Sequence, residues 1–140
     1  MLKFILIVLT ILSIVTLTGC NNKEVINEKN EKEVKNMNNI TLSINNKEYN
    51  IEFENNDTVS DLIEHLPLSL TMNELNGNEY YEYLDFNLKT NSENVKSIKA
   101  GDVMLYGNNC LVIFYESFNT SYSYTRIGHI NNIESLEEDL

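Results

Sequence analysis

Residues Gly101–Ile130 read GDVMLYGNNCLVIFYESFNTSYSYTRIGHI. Three strands are predicted there, Val103–Tyr106, Cys110–Phe114 and Ser121–Arg126, separated by the turns Gly107-Asn108-Asn109 and Ser117–Thr120. The middle run, Cys110-Leu111-Val112-Ile113-Phe114-Tyr115, is apolar at successive positions, so both pleat faces of that strand must be covered. A strand covered on both faces lies inside the fold, and the rest of the chain is expected to be built outward from it.

Upstream, Ile40, Leu42 and Ile44 alternate with polar residues, the period of a half-buried strand. Asn45-Asn46-Lys47 is a turn, because asparagine tolerates positive φ, and Tyr49, Ile51 and Phe53 form the returning arm of a hairpin. Thr58 is expected to cap a helix, with Asp61 completing a weak capping box. Val59, Leu62, Ile63 and Leu66 fall on one stripe of that helix, and Pro67 ends it. Leu68, Leu70 and Met72 alternate as a further strand, Asn76-Gly77-Asn78 is a turn, and Phe86 with Leu88 suggests another short strand. Beyond Ile130, Ile133, Leu136 and Leu140 suggest a last amphipathic turn. About eight short strands and one short helix point to a mainly β fold, a closed or nearly closed barrel.

The N-terminus carries an address. Lys3 precedes the apolar run Phe4–Leu17, about fourteen residues, which is short of the roughly 20 needed to cross a bilayer as a helix. Residues 1–19 are therefore expected to be a signal peptide. Leu17-Thr18-Gly19-Cys20 resembles the bacterial lipobox, which implies cleavage before Cys20 and lipidation of its thiol. Acyl chains on one residue would hold the chain at the outer face of the cell membrane. Residues 20–38, rich in Asn, Lys and Glu, have few side chains to bury and are expected to form a disordered tether to a domain over 39–140.

That domain is acidic. From Asn39 onward four Lys and one Arg stand against seventeen Asp and Glu, a net of −12. Such a surface repels phosphate backbones, so nucleic acid is not an expected partner. With Cys20 acylated, Cys110 is the one remaining thiol; neither an internal disulfide nor a Cys/His metal cluster can be assembled, and no cofactor is expected. Cys110 opens the most apolar strand, where a free cysteine acts as a small hydrophobe.

Laid out in order, Leu66-Pro67-Leu68, Asn78-Glu79-Tyr80-Tyr81, Ala100-Gly101-Asp102-Val103-Met104-Leu105-Tyr106, Cys110–Tyr115 and Tyr124-Thr125-Arg126-Ile127-Gly128 resemble the small bacterial cyclophilin-like domain family. The resemblance covers about Ile40–Ile133 and implies a cyclophilin-type β-barrel. It does not carry over prolyl isomerase activity. The Phe-His-Arg and Gln-Gly-Gly-Asp segments that line the proline pocket of active members are missing, and the chain has no Trp.

Arg126 is the one arginine of an acidic domain. Alternation places Tyr122 and Tyr124 on its face of the strand, and a guanidinium beside phenol rings can grip a carboxylate or a peptide carbonyl. Arg126, Tyr124, Tyr115 and Tyr122 are therefore the candidate ligand-binding residues. A structural ion pair of Arg126 with Glu79, Asp102 or Glu116 is the competing role. His65 and His129 have no spacing that ties them to a nucleophile, no catalytic residue is assigned, and there is no Gly-rich phosphate loop. The expected protein is a monomeric surface lipoprotein that binds a small molecule or peptide without chemistry. The alternatives are a divergent extracytoplasmic peptidyl-prolyl isomerase and an interaction module using an exposed sheet edge.

Overall fold

The computed structural model describes residues 40–136. In chain order the first strands are β1 (Leu42–Ile44), β2 (Lys47–Tyr49) and β3 (Ile51–Phe53), followed by helix α1 (Asp57–Glu64). Then come β4 (Asn73–Leu75), β5 (Glu79–Tyr83), β6 (Glu93–Asn94) and β7 (Ser97–Ile98). The last strands are β8 (Asp102–Tyr106), β9 (Cys110–Phe114), β10 (Phe118–Asn119) and β11 (Ser123–Ile130), before a 3-10 turn at Ile133–Ser135. The fold is mainly β with one α-helix among the described residues.

All five residues of β9 are buried. The strand is hydrogen-bonded on both sides, to β8 and β5, within an antiparallel sheet ordered β3-β11-β8-β9-β5-β4, and β6 pairs with the start of β11. Its alternate residues enter two different cores. Leu111 and Ile113 pack with Val103, Leu105, Ile127 and Ile130, over which α1 lays Val59 and Leu62. Cys110, Val112 and Phe114 pack with Met104 and Tyr124, under Val95, Ile98 and Phe118. The first core is closed by half-buried residues of β1 and of the segment 68–72, the second by the small β7–β10 pair. This divided burial is what an uninterrupted apolar strand demands. Among the described residues no ladder joins β3 to β4, so the enclosure of the first core is completed by packing.

Local chemistry explains the turns. Asn45, Asn46, Asn76, Gly77 and Gly107 take positive φ and tighten the hairpins β1–β2, β4–β5 and β8–β9. Gly128 has a different task. A Cβ there would sit on the Glu52 carbonyl oxygen and 3.2 Å from Phe53 Cα, so glycine allows β3 to lie close against β11. Next to it the register between β11 and β8 slips, leaving Ile127 unpaired between Arg126 and Gly128. That bulge sends Ile127 into the first core and carries β11 on past Arg126 to Ile130.

Several local expectations need correction. The helix cap is Asn56: its Oδ1 accepts the Val59 N–H at 2.9 Å, and its Nδ2 donates to the Arg126 carbonyl at 2.8 Å. Thr58 instead lies buried inside the helix, and Asp61 accepts from Lys89 N–H at 2.8 Å. The arm expected at Tyr49–Phe53 breaks at Asn50, its two halves joining β1 and β11. Leu68, Leu70 and Met72 alternate in burial but form no ladder, and the strand there is β4, just downstream. Phe86 and Leu88 are not in a strand either. Leu84 and Leu88 N–H groups donate to the Asn109 and Asn108 carbonyls, each at 2.7 Å. Leu136 is buried in the first core, whereas Leu140, Cys20, the signal peptide and the tether lie outside the described residues.

Candidate functional site

The register of the sheet places side chains in rows across its second face. Tyr83 of β5, Cys110 of β9 and Tyr106 of β8 form one row. Tyr81, Val112 and Met104 form the next, and Glu79 pairs with Phe114 beyond it. Tyr122 just before β11 and Tyr124 at its start complete the wall, Tyr124 5.6 Å from both the Tyr106 and Phe114 rings. All of these but Met104 and Phe114, which lie beneath, line a cleft of about 550 Å³. Five of the chain's eight tyrosines are in it.

The cleft grades from wet to dry. Tyr83, Tyr106 and Tyr122 at its mouth are 59%, 44% and 61% exposed, whereas Val112 and Tyr124 in the same lining are buried. The rings meet edge-on or tilted: Tyr81 with Tyr83 at 6.0 Å, Tyr106 with Tyr122 at 6.1 Å. These arrangements suit the charge distribution of aromatic rings and fix the walls.

Electrostatics follow from burial. Burial pushes the Glu79 carboxyl above its ordinary value, and no side-chain or backbone donor pairs with that carboxylate among the described residues. Burial, then the negative charges of Glu79 and its neighbours, pushes the Tyr124 hydroxyl up to about 12. Burial also pushes the Cys110 thiol up, with Glu79 and Glu82 adding to it and the Tyr83 hydroxyl opposing, so Cys110 stays a thiol at neutral pH and is no ready nucleophile. Asn78, beside Glu79, turns a buried side-chain oxygen toward no donor. No lysine, arginine or histidine lines the cleft.

Of the residues singled out from the sequence, the structure brings Tyr122 and Tyr124 together here. Arg126, two residues on along β11, does not line the cleft; its Nε lies 3.6 Å from Glu93 Oε1. Tyr115 packs on the opposite side of the sheet against the first core, its ring 5.5 Å from Tyr80 and its hydroxyl donating to Glu74 at 3.1 Å. Glu79, Tyr81, Tyr83 and Tyr106 line it as well, although they are not among the candidate ligand-binding residues read from the sequence. The alternation Glu79-Tyr81-Tyr83 on one strand was the available signal.

Two other features compete for attention. An opening of about 770 Å³ between β1 and the first core is lined mostly by aliphatic side chains, with some Ser, Thr and Asn and no charged residue, but its wall starts at Ile40, the first described residue. Asp102, buried, accepts the Lys99 N–H at 2.9 Å and meets His129 Nδ1 at 2.9 Å, which ties the Lys99–Asp102 turn to β11. Among the described residues no three His, Cys, Asp or Glu side chains are grouped to hold a metal ion.

The profile of the Cyclophilin-like family matches residues 42–140, which takes in both cores, the cleft and most of the chain. The chain belongs to the cyclophilin-like family. No curated protein and no solved structure compared with it gives a match. The cyclophilin-like domain therefore has a fold with a family name, while its chemistry has to be argued from the cleft itself.

Proposed function

We propose that this protein is a surface lipoprotein, held to the membrane by lipid on Cys20, whose cyclophilin-like domain binds a small ligand or peptide segment without chemical change. The observation that carries the binding role is the tyrosine-lined cleft. Its volume falls in the usual range for small-molecule sites, roughly 300–1,000 Å³. It combines rigid aromatic walls with a few polar groups at its inner end, the composition that favours binding with defined orientation.

The test is a titration followed by NMR of ring-labelled tyrosines, using a panel of peptides with and without proline. Saturable shifts concentrated on Tyr81, Tyr83, Tyr106, Tyr122 and Tyr124 are expected; shifts concentrated on Tyr80 and Tyr115 would move the site to the other face. For the anchor, Cys20→Ser is expected to transfer the protein from the membrane fraction to the soluble one, and retention on the membrane would refute lipid attachment there.

Family membership favours one second reading, a divergent peptidyl-prolyl isomerase in which Arg126 polarises the proline nitrogen. The position of Arg126 against Glu93, outside the cleft, weighs for the binding role. Turnover of a Xaa-Pro tetrapeptide that Arg126→Ala abolishes would establish the isomerase and displace the first reading.

A further inference from the structure

We infer that the tyrosine cleft recognises an organic cation, an alkylated ammonium group that sits among the rings of Tyr81, Tyr106, Tyr122 and Tyr124 with its charge toward Glu79. The inference rests on the cleft being the binding site and adds the class of ligand. Three independent observations carry it.

The first is the wall. Tyrosine rings attract a cation placed over their faces, and several rings around one site are the means by which quaternary ammonium groups are held. Five tyrosines line this cleft, three of them substantially exposed at its mouth and free to meet a solute.

The second is the carboxylate at the inner end. Glu79 is half-buried, beside Phe114 in the register, and among the described residues no hydrogen bond or ion pair reaches its carboxylate. Partial burial of an ion without a partner is unfavourable, and a cationic ligand would supply the missing charge. Asn78, next to it, adds a buried side-chain oxygen with no donor, so two acceptors without partners stand side by side at this end of the cleft.

The third is the field of the whole domain. A net charge of −12 over residues 39–140 draws cations and repels anions, raising the local concentration of a positive ligand at low salt. The cleft exceeds the needs of a bare tetramethylammonium ion, so a body attached to the ammonium would run out past Tyr83 toward solvent.

The decisive comparison is between choline and 3,3-dimethylbutan-1-ol, which has the same shape without the charge. The full chain, purified in a nonionic detergent, is titrated with each while its tyrosine ring resonances are followed. Choline is expected to shift the five cleft tyrosines saturably, at about a tenth of the concentration the neutral isostere requires or less. Glu79→Gln should weaken choline binding by about tenfold and leave the isostere unchanged, with an unaltered unfolding midpoint showing that the fold is intact. Glycerophosphocholine, titrated in parallel, separates the sources: affinity equal to choline's marks an ammonium borne on a lipid headgroup, weaker affinity a free one, and both sustain the inference. Equal affinity for choline and the isostere overturns the recognition of charge while leaving the cleft as a site. Absence of any cleft shift with choline at tens of millimolar overturns it as well, and the peptide panel then decides separately whether the cleft binds anything.

Discussion

Gly128→Ala replaces one hydrogen by a methyl group and should destabilise the domain, although the same change in an unconstrained place stabilises. Gly128 does not take positive φ, so alanine meets no backbone strain there. On unfolded-state entropy alone the substitution would add about 0.4–1 kcal/mol. The opposing effect is steric. The new Cβ would lie on the Glu52 carbonyl oxygen and press on Phe53 Cα, and these are backbone atoms that cannot swing aside. For an ordinary contact β3 must retreat by roughly 1 Å. Bonds at both ends of its docking, Glu54 N–H to Ile127 O and Asn131 N–H to Asn50 O, each 2.9 Å, would then stretch past useful length. At about 0.5–1.5 kcal/mol apiece they outweigh the entropic gain. The net expectation is a loss of about 1–2 kcal/mol, or roughly 5–15 °C in midpoint for a domain of this size. Gly128→Ser should behave alike, because the clash arises at Cβ. Gly107 serves as the contrast: nothing lies within 4 Å of its Cβ position but φ is +63°, so Gly107→Asn should be tolerated better than Gly107→Ala. Thermal and urea unfolding of the purified variants would decide it. A Gly128→Ala midpoint equal to or above the parent's refutes the close approach of β3 and β11.

Three further expectations test the fold around the cleft. Asn56→Ala removes the helix cap and should lower the unfolding free energy by about 1–2 kcal/mol. Asn56→Asp keeps the acceptor for Val59 and loses the bond to Arg126 O, so its urea midpoint should fall between the two; three coincident midpoints would discard the cap. Tyr124, held up to about 12 against an ordinary value of 10, keeps its proton in the folded state when the unfolded chain has lost it. Its contribution is therefore fully present below pH 10 and is lost as pH rises from 10 toward 12. Absorbance titration should resolve one late-ionising tyrosine that vanishes in Tyr124→Phe, and a Tyr124 ionising with the bulk near pH 10 contradicts its burial. Val112 and Ile113 point to opposite cores, and if both are closed, Val112→Ala and Ile113→Ala should each cost more than about 1 kcal/mol. A change below roughly 0.5 kcal/mol for either, the level of a surface substitution, would mean that one face of β9 is not covered.

What the sequence made legible was whatever neighbouring residues decide between themselves. The apolar run 110–114 required two covers, and the positive-φ turns at Asn45-Asn46, Asn76-Gly77 and Gly107 announced their hairpins. What escaped depends on distant partners. Asn56 outranks Thr58 as cap partly because its amide also reaches the Arg126 carbonyl, seventy positions away. Leu68, Leu70 and Met72 alternate because their side chains half-bury against the first core, and alternation reports burial, not the presence of a ladder. Arg126 looks like the end of a strand because the bulge at Ile127 breaks the alternation in the middle of β11, which runs on to Ile130. Tyr122 and Tyr124 were recognisable as neighbours along one strand. Tyr81, Tyr83 and Tyr106 could join them only once the order β5-β9-β8-β11 was known, and no local pattern states that order.

That order also explains why the cleft is made of tyrosine. The second face of β9 must be apolar where the β7–β10 pair covers it, at Val112 and Phe114. The cover is short, two residues from each strand, and it does not reach the row of Tyr83, Cys110 and Tyr106. At that boundary a phenylalanine would leave apolar surface in water, and a serine would uncover Cys110 and the end of the core. Tyrosine satisfies both demands, its ring shielding Cys110 to 5% exposure while its hydroxyl stays wet. A row of tyrosines here is thus accounted for by packing alone. Packing does not account for Glu79, two residues from Tyr81 on the same face, where an apolar side chain would extend the core at lower cost. A carboxylate kept half-buried and unpartnered beside rings that the fold already needs is the point at which structural economy stops and ligand recognition becomes the simpler explanation.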